Sequence, residues 1–84
     1  MDNATIAAAD ELFSVYQEFV DGSHECVRRL VPAQEAVEAA HHYSHSVGAK
    51  LGTTRRVIIT DILDYTNFEW KFGEGVTFPP RAQP

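Results

Sequence analysis

The chain has 84 residues, 44% apolar, 23% charged and 11% aromatic, with a formal net charge of −5. That length holds one domain whose hydrophobic core is only just sufficient, and the composition is that of neither a disordered nor a fibrous chain. The charge repels phosphate backbones and anionic lipid, so nucleic acid is not an expected partner.

The longest unbroken apolar run, Ile6 to Ala9, is four residues, far below the roughly 20 that span a bilayer. The amino terminus is acidic where a secretory signal is basic, so neither membrane insertion nor secretion is expected. The single cysteine, Cys26, has no intramolecular disulfide partner and suits a reducing cytosol. These features predict a cytoplasmic protein forming one domain over 1–84, ordered from about residue 4 to 78, with 79–84 as a proline-interrupted tail.

From Asn3 onward, Ile6, Ala9, Phe13, Tyr16 and Val20 recur at steps of three and four, and Leu12 and Phe19 widen the stripe. This spacing predicts an amphipathic helix over 4–20, capped by Asn3 and stopped by Asp21 and Gly22, with Asp10, Glu11, Gln17 and Glu18 on its wet face. Residues 25–31 read as a short strand or as further helix. The strand is preferred because a turn precedes it and a proline-initiated helix follows it. That second helix starts with Pro32 in its first position and runs through Ala36, Val37, Ala40, Tyr43, Val47 and Leu51 to Gly52.

Beyond Gly52 the chain turns β-branched and aromatic. Val57, Ile58 and Ile59 predict a central strand buried on both faces. Phe68, Trp70 and Phe72 alternate with Glu69 and Lys71 as in a half-covered antiparallel strand. Turns are expected at 61–64 and 73–75, with 76–78 returning as a third strand. The predicted fold is α+β, a two-layer sandwich of order α-β-α-β-β-β. Two helices pack on one face of a small, mainly antiparallel sheet, and a right-handed crossover joins the 25–31 strand to a parallel neighbour. Val57, Ile59, Phe68, Trp70 and Phe72 from the sheet, with Phe13, Tyr16, Ala40 and Val47 from the helices, form the expected core.

Several constellations bear on chemistry. His41 and His45 stand one helical turn apart, the spacing at which two imidazoles reach one metal ion, and Glu38 lies about 20° from His45 on the same face. The hydrolytic zinc motif would place a glutamate directly after the first histidine, and His42 occupies that position. A histidine-rich polar face is the plainer reading. His24 beside Cys26 invites a thiolate nucleophile, but a cysteine within a strand is ordinarily a small buried hydrophobe, and no glycine loop for an oxyanion is nearby.

Asp61 and Asp64 could act as an acid–base pair or hold a hard cation, yet carboxylates in these positions also organise turns. Between them Ile62 and Leu63 place large apolar groups at a loop tip, the character of a partner-contacting surface. Arg55 and Arg56 would sit beside Arg28 and Arg29 if their strands were parallel neighbours. Four guanidinium groups could then hold an anion, although the acidic residues between Asp2 and Glu25 are the more ordinary partners.

The segment Thr54 to Pro79, TRRVIITDILDYTNFEWKFGEGVTFP, with LVPAQEAVEAAHHY upstream, resembles a group of small uncharacterised proteins of mobile integron gene cassettes. The likeness covers residues 26–80 and departs from the group at Ile62 and Leu63, where glycines would be expected in the turn. It implies a bacterial, accessory, cytosolic protein and carries no activity or site residue with it.

These readings favour a non-enzymatic binding or protein-interaction module that self-associates as a homodimer, with no cofactor and no catalytic residue. Dimerisation is a common remedy for the thin core of so short a chain. Ile62, Leu63, Arg55 and Arg56 are the expected contact residues. The alternative is a small metal-binding protein or enzyme using Glu38, His41 and His45.

Overall fold

A computed structural model describes residues 11–80. Its strands are β1 (Leu12–Phe19), β2 (His24–Pro32), β3 (Thr54–Asp61), β4 (Thr66–Lys71) and β5 (Gly75–Phe78). Two helices, α1 (Ala33–Ser44) and α2 (Val47–Leu51), lie between β2 and β3. The fold is α+β, with one sheet of order β2-β1-β3-β4-β5 in which every neighbouring pair is antiparallel. Within the described residues the element order is therefore β-β-α-α-β-β-β.

The amino-terminal helix is the main correction. Residues 12–19 form a strand, while 4–10 lie outside the described residues, as do 81–84 of the expected tail. The apolar residues at 12, 13, 15, 16 and 19 satisfy a helical repeat and a sheet pleat about equally well, so periodicity alone does not separate the two. Pairing decides: β1 bonds to β2 on one edge and to β3 on the other, satisfying backbone groups along both. Gln17, expected on a wet helix face, is buried as a result.

The strand expected at 25–31 is present as β2, but its relation to β3 differs. Both run antiparallel to β1, which makes them parallel to each other with β1 inserted between them. The single helix expected over 32–51 is broken. Pro32 stands as the N-cap of α1 instead of its first residue, and the helix ends at His45. Ser46 then caps α2, its side chain accepting from the Ala49 N–H at 3.1 Å. Gly52 closes α2 in the left-handed region, with φ of 90°. The expected meander is present as β3, β4 and β5.

The core gathers Val15, Val57 and Ile59 from the sheet and Ala36, Ala39 and Ala40 from α1, with Phe13, Val27, Val31, Tyr43, Phe68 and Trp70 partly buried around them. Ala36, Ala39, Ala40 and Tyr43 follow the i, i+3, i+4, i+7 pattern of a single helix face. Alanines let α1 approach the sheet closely but contribute little apolar area, so the largest fully buried side chains are two valines, Val15 and Val57. Three expected core residues lie elsewhere. Val47 falls on the short second helix and is 71% exposed, Phe72 lies just beyond β4 under Arg55, and Tyr16 points to the other face of the sheet, edge-on to His24.

Candidate functional site

Cross-strand partners in an antiparallel sheet share a face. The register aligns Val15 with Ile59 and Ile59 with Phe68 in one row, and Val57 with Trp70 and Trp70 with Val76 in the next, so two neighbouring apolar rows on one face together reach from β1 to β5. Helix α1 packs on β1, β2 and β3. A helix is about 10 Å across and strands lie about 4.8 Å apart, so one helix covers two or three strands and, among the described residues, leaves much of β4 and β5 without a helix over it. Phe68, Trp70 and Val76 on β4 and β5 thus form the floor of a groove with α1 as its wall.

The groove has a volume of about 620 Å³, within the range of small-molecule sites, roughly 300–1,000 Å³. Ala33, Ala36, Val37 and Ala40 line the helix side, and Phe13 and Ile59 the depth of the sheet. Its polar lining is sparse: His41 and Ser44 come from the end of α1, His45 is the C-cap of that helix, and Asn67 comes from β4. Val37 and Val76 remain 60% and 53% exposed on opposite sides of the opening.

The histidines are brought together, and their arrangement is specific. The rings of His41 and His45 stack with centroids 4.1 Å apart and planes tilted by 30°. His45 Nδ1 lies 2.8 Å from the carbonyl oxygen of His41 and 3.2 Å from Ser44 Oγ, which donates to that same carbonyl. A carbonyl only accepts, so Nδ1 carries the hydrogen and Nε2 is the nitrogen left for a ligand. Glu38 accepts from Gln34 Nε2 at 3.4 Å. No group of three His, Cys, Asp or Glu side chains is placed to hold a metal ion among the described residues.

The arginines are dispersed. With β1 between β2 and β3, the four guanidinium groups expected together do not share one sheet end as neighbouring pairs. Arg28 faces Glu35 at 3.6 Å, Arg55 stacks over the Phe72 ring at 4.9 Å, and Arg56 Nε donates to Glu69. Glu69 also accepts from Thr77 Oγ1 at 2.6 Å. That hydroxyl, ahead of Arg56 and Lys71, holds the Glu69 carboxyl below its ordinary value against an opposing effect of burial. On this same sheet face Tyr16, Glu18, His24, Arg56 and Ile58 line a smaller cleft of about 260 Å³. Cys26 Sγ donates to the Arg28 carbonyl at 3.2 Å.

Ile62 and Leu63 occupy the β3–β4 loop and are 61% and 73% exposed. Asp61 organises that loop. Its Oδ1 accepts from the N–H groups of Leu63 and Tyr65, and its Oδ2 accepts from Asn67 Nδ2. These bonds, Asn67 foremost, lower the Asp61 pKa from the ordinary 3.8. Asp64 takes a left-handed φ of 68° and its N–H donates to the Asp61 carbonyl.

Sequence reasoning found the histidines and the aromatic alternation of β4, but it missed the groove that joins them. The signal was the set of small residues Ala33, Ala36 and Ala40 on one side of a helix opposite a strand of large aromatic residues. Compared with known proteins, the chain matches no family model, no curated protein and no solved structure.

Proposed function

We propose that this chain is a non-enzymatic binding module that takes an apolar ligand in the groove between α1 and β3–β5. The observation that carries the reading is the cavity itself: about 620 Å³, floored by Phe68, Trp70 and Val76 and walled by alanines, with its few polar groups concentrated near one end of α1. Self-association as a homodimer belongs to the same proposal. It is supported by the small core and by the large apolar side chains left in contact with water, Leu51, Leu63 and Tyr65 among them. A bacterial, cytoplasmic, cassette-borne setting rests on the sequence resemblance of residues 26–80.

Trp70 is the only tryptophan and lines the groove, so its emission reports on occupancy. Titration with the uncharged probe N-phenyl-1-naphthylamine is expected to give saturable binding with quenching of Trp70. Val37→Glu should weaken that binding by about tenfold or more while leaving stability within about 0.5 kcal/mol, since Val37 is a largely exposed wall residue. Absence of saturable binding, or binding indifferent to Val37→Glu and Val76→Glu, overturns the reading.

A further inference from the structure

We infer that the groove selects amphiphiles with a carboxylate head, the head held by His45 and His41 and the apolar body lying over Phe68 and Trp70. This rests on the groove being a binding site and names the class of ligand it takes.

The histidine pair supplies the chemistry that the apolar walls lack. His45 lines the groove with Nδ1 already committed to the His41 carbonyl, which sets the ring's tautomer and presents Nε2 as its remaining polar atom. In the tautomer fixed by that bond Nε2 accepts, and a carboxylic acid head brings the proton it lacks: transfer to Nε2 leaves a charged N–H donating to the carboxylate. His41 stands in the last turn of α1 and His45 is its C-cap, at the end of the helix that complements positive charge. Stacking against His41 at 4.1 Å restrains the ring, so less freedom is lost when a head group docks. No lysine or arginine lines the groove among the described residues, leaving the imidazoles as the groups there that can pair with an acidic head.

The body of the ligand follows from the rest of the lining. Ala33, Ala36 and Ala40 offer a smooth wall without hydrogen-bonding groups, facing two aromatic rings, which suits an alkyl chain or a flat ring system. The net charge of −5 opposes any anion at long range. A preference for an acid over the matching alcohol therefore measures donors close to the head group.

The test compares decanoate with 1-decanol, which share a chain and differ at the head, by Trp70 emission on the full chain. The expected result is decanoate binding about tenfold or more tighter than decanol, the scale of a charge-assisted hydrogen bond. His41→Gln with His45→Gln should lower decanoate affinity by a much larger factor than it changes decanol affinity, bringing the preference close to one. The single variants should each remove part of it, and both positions are exposed, so the fold tolerates them. Equal affinity for the two probes overturns the head-group inference while the groove reading stands. A preference that survives both substitutions overturns the histidine assignment. If N-phenyl-1-naphthylamine binds and neither ten-carbon probe does, the ligand class is wrong. If none of the three binds, the groove reading fails and the inference fails with it.

Discussion

Gln17 and Thr54 are joined by a buried hydrogen bond, Thr54 Oγ1 donating to Gln17 Oε1 at 3.2 Å, across 37 positions of sequence. Both side chains are more than nine-tenths buried, and Gln17 Nε2 donates in turn to Glu25 Oε1 at 2.9 Å. The amide thus ties β1 to the start of the central strand β3 and to β2. Thr54→Val removes the donor and leaves a buried acceptor unpaired, so it should cost about 1–3 kcal/mol in chemical denaturation. Adding Gln17→Leu should cost less than the sum of the single changes, because the second substitution removes the orphaned group.

Gly52 ends α2 at φ +90°, and a Cβ built there would meet Phe72 Cζ at 3.1 Å. Gly52→Ala combines left-handed strain of about 1–2 kcal/mol with a ring that must shift, and the Phe72 ring is itself stacked under Arg55. Gly73 has a similar φ of +82° but nothing within 4 Å of such a Cβ. Thermal melting should therefore fall further for Gly52→Ala than for Gly73→Ala. Equal losses would show that the Phe72 contact yields without cost.

Glu69 links the pH dependence of stability to the sheet face opposite α1. Its folded-state pKa lies below the ordinary 4.5, chiefly because Thr77 donates to it, with Arg56 and Lys71 adding to the effect. A depressed carboxylate contributes stability that is complete above its unfolded value and lost as pH falls through the lowered folded value. Urea unfolding from neutral pH into the acid range should show the native protein losing stability below about pH 4.5. Glu69→Gln should be less stable at neutral pH and lose less on acidification. Thr77→Val should reproduce part of both effects.

Replacement of Trp70 probes the groove floor and the core together. Phe or Trp to Ala changes in full cores cost about 3–5 kcal/mol. Trp70 is only partly buried, so Trp70→Ala should fall at or below the low end, about 3 kcal/mol, and enough to unfold a domain of marginal stability. Circular dichroism of a well-folded Trp70→Ala chain with an unchanged melting temperature would refute this.

Self-association gives a direct readout in solution mass. Light scattering across a concentration series should give twice the 9.4 kDa of one chain. Ile62→Lys with Leu63→Lys should shift the mass to that of the monomer without loss of fold, because both side chains project from the β3–β4 loop and contribute little to the core. A native chain that stays monomeric at every concentration refutes the dimer.

The sequence by itself determined those elements whose signals are local. The run Val57 to Ile59, the alternation from Phe68 to Trp70 and the turn residues on either side specify structure through contacts a few positions apart and are present, as is an alanine helix after Pro32, which ends at Ser44 where the spacing predicts a single helix to Leu51. It also placed His41 and His45 together, since one helical turn is enough to do so. Only the tertiary structure decided the state of residues 12–19, where the apolar spacing fits helix and strand alike and pairing with strands on both sides selects the strand. Insertion of β1 between β2 and β3 separated the arginine pairs, buried Gln17 and fixed which row of side chains meets α1. The groove arises from a mismatch between the width of five strands and the width of one helix. That mismatch comes from how distant segments assemble, so no local periodicity encodes it.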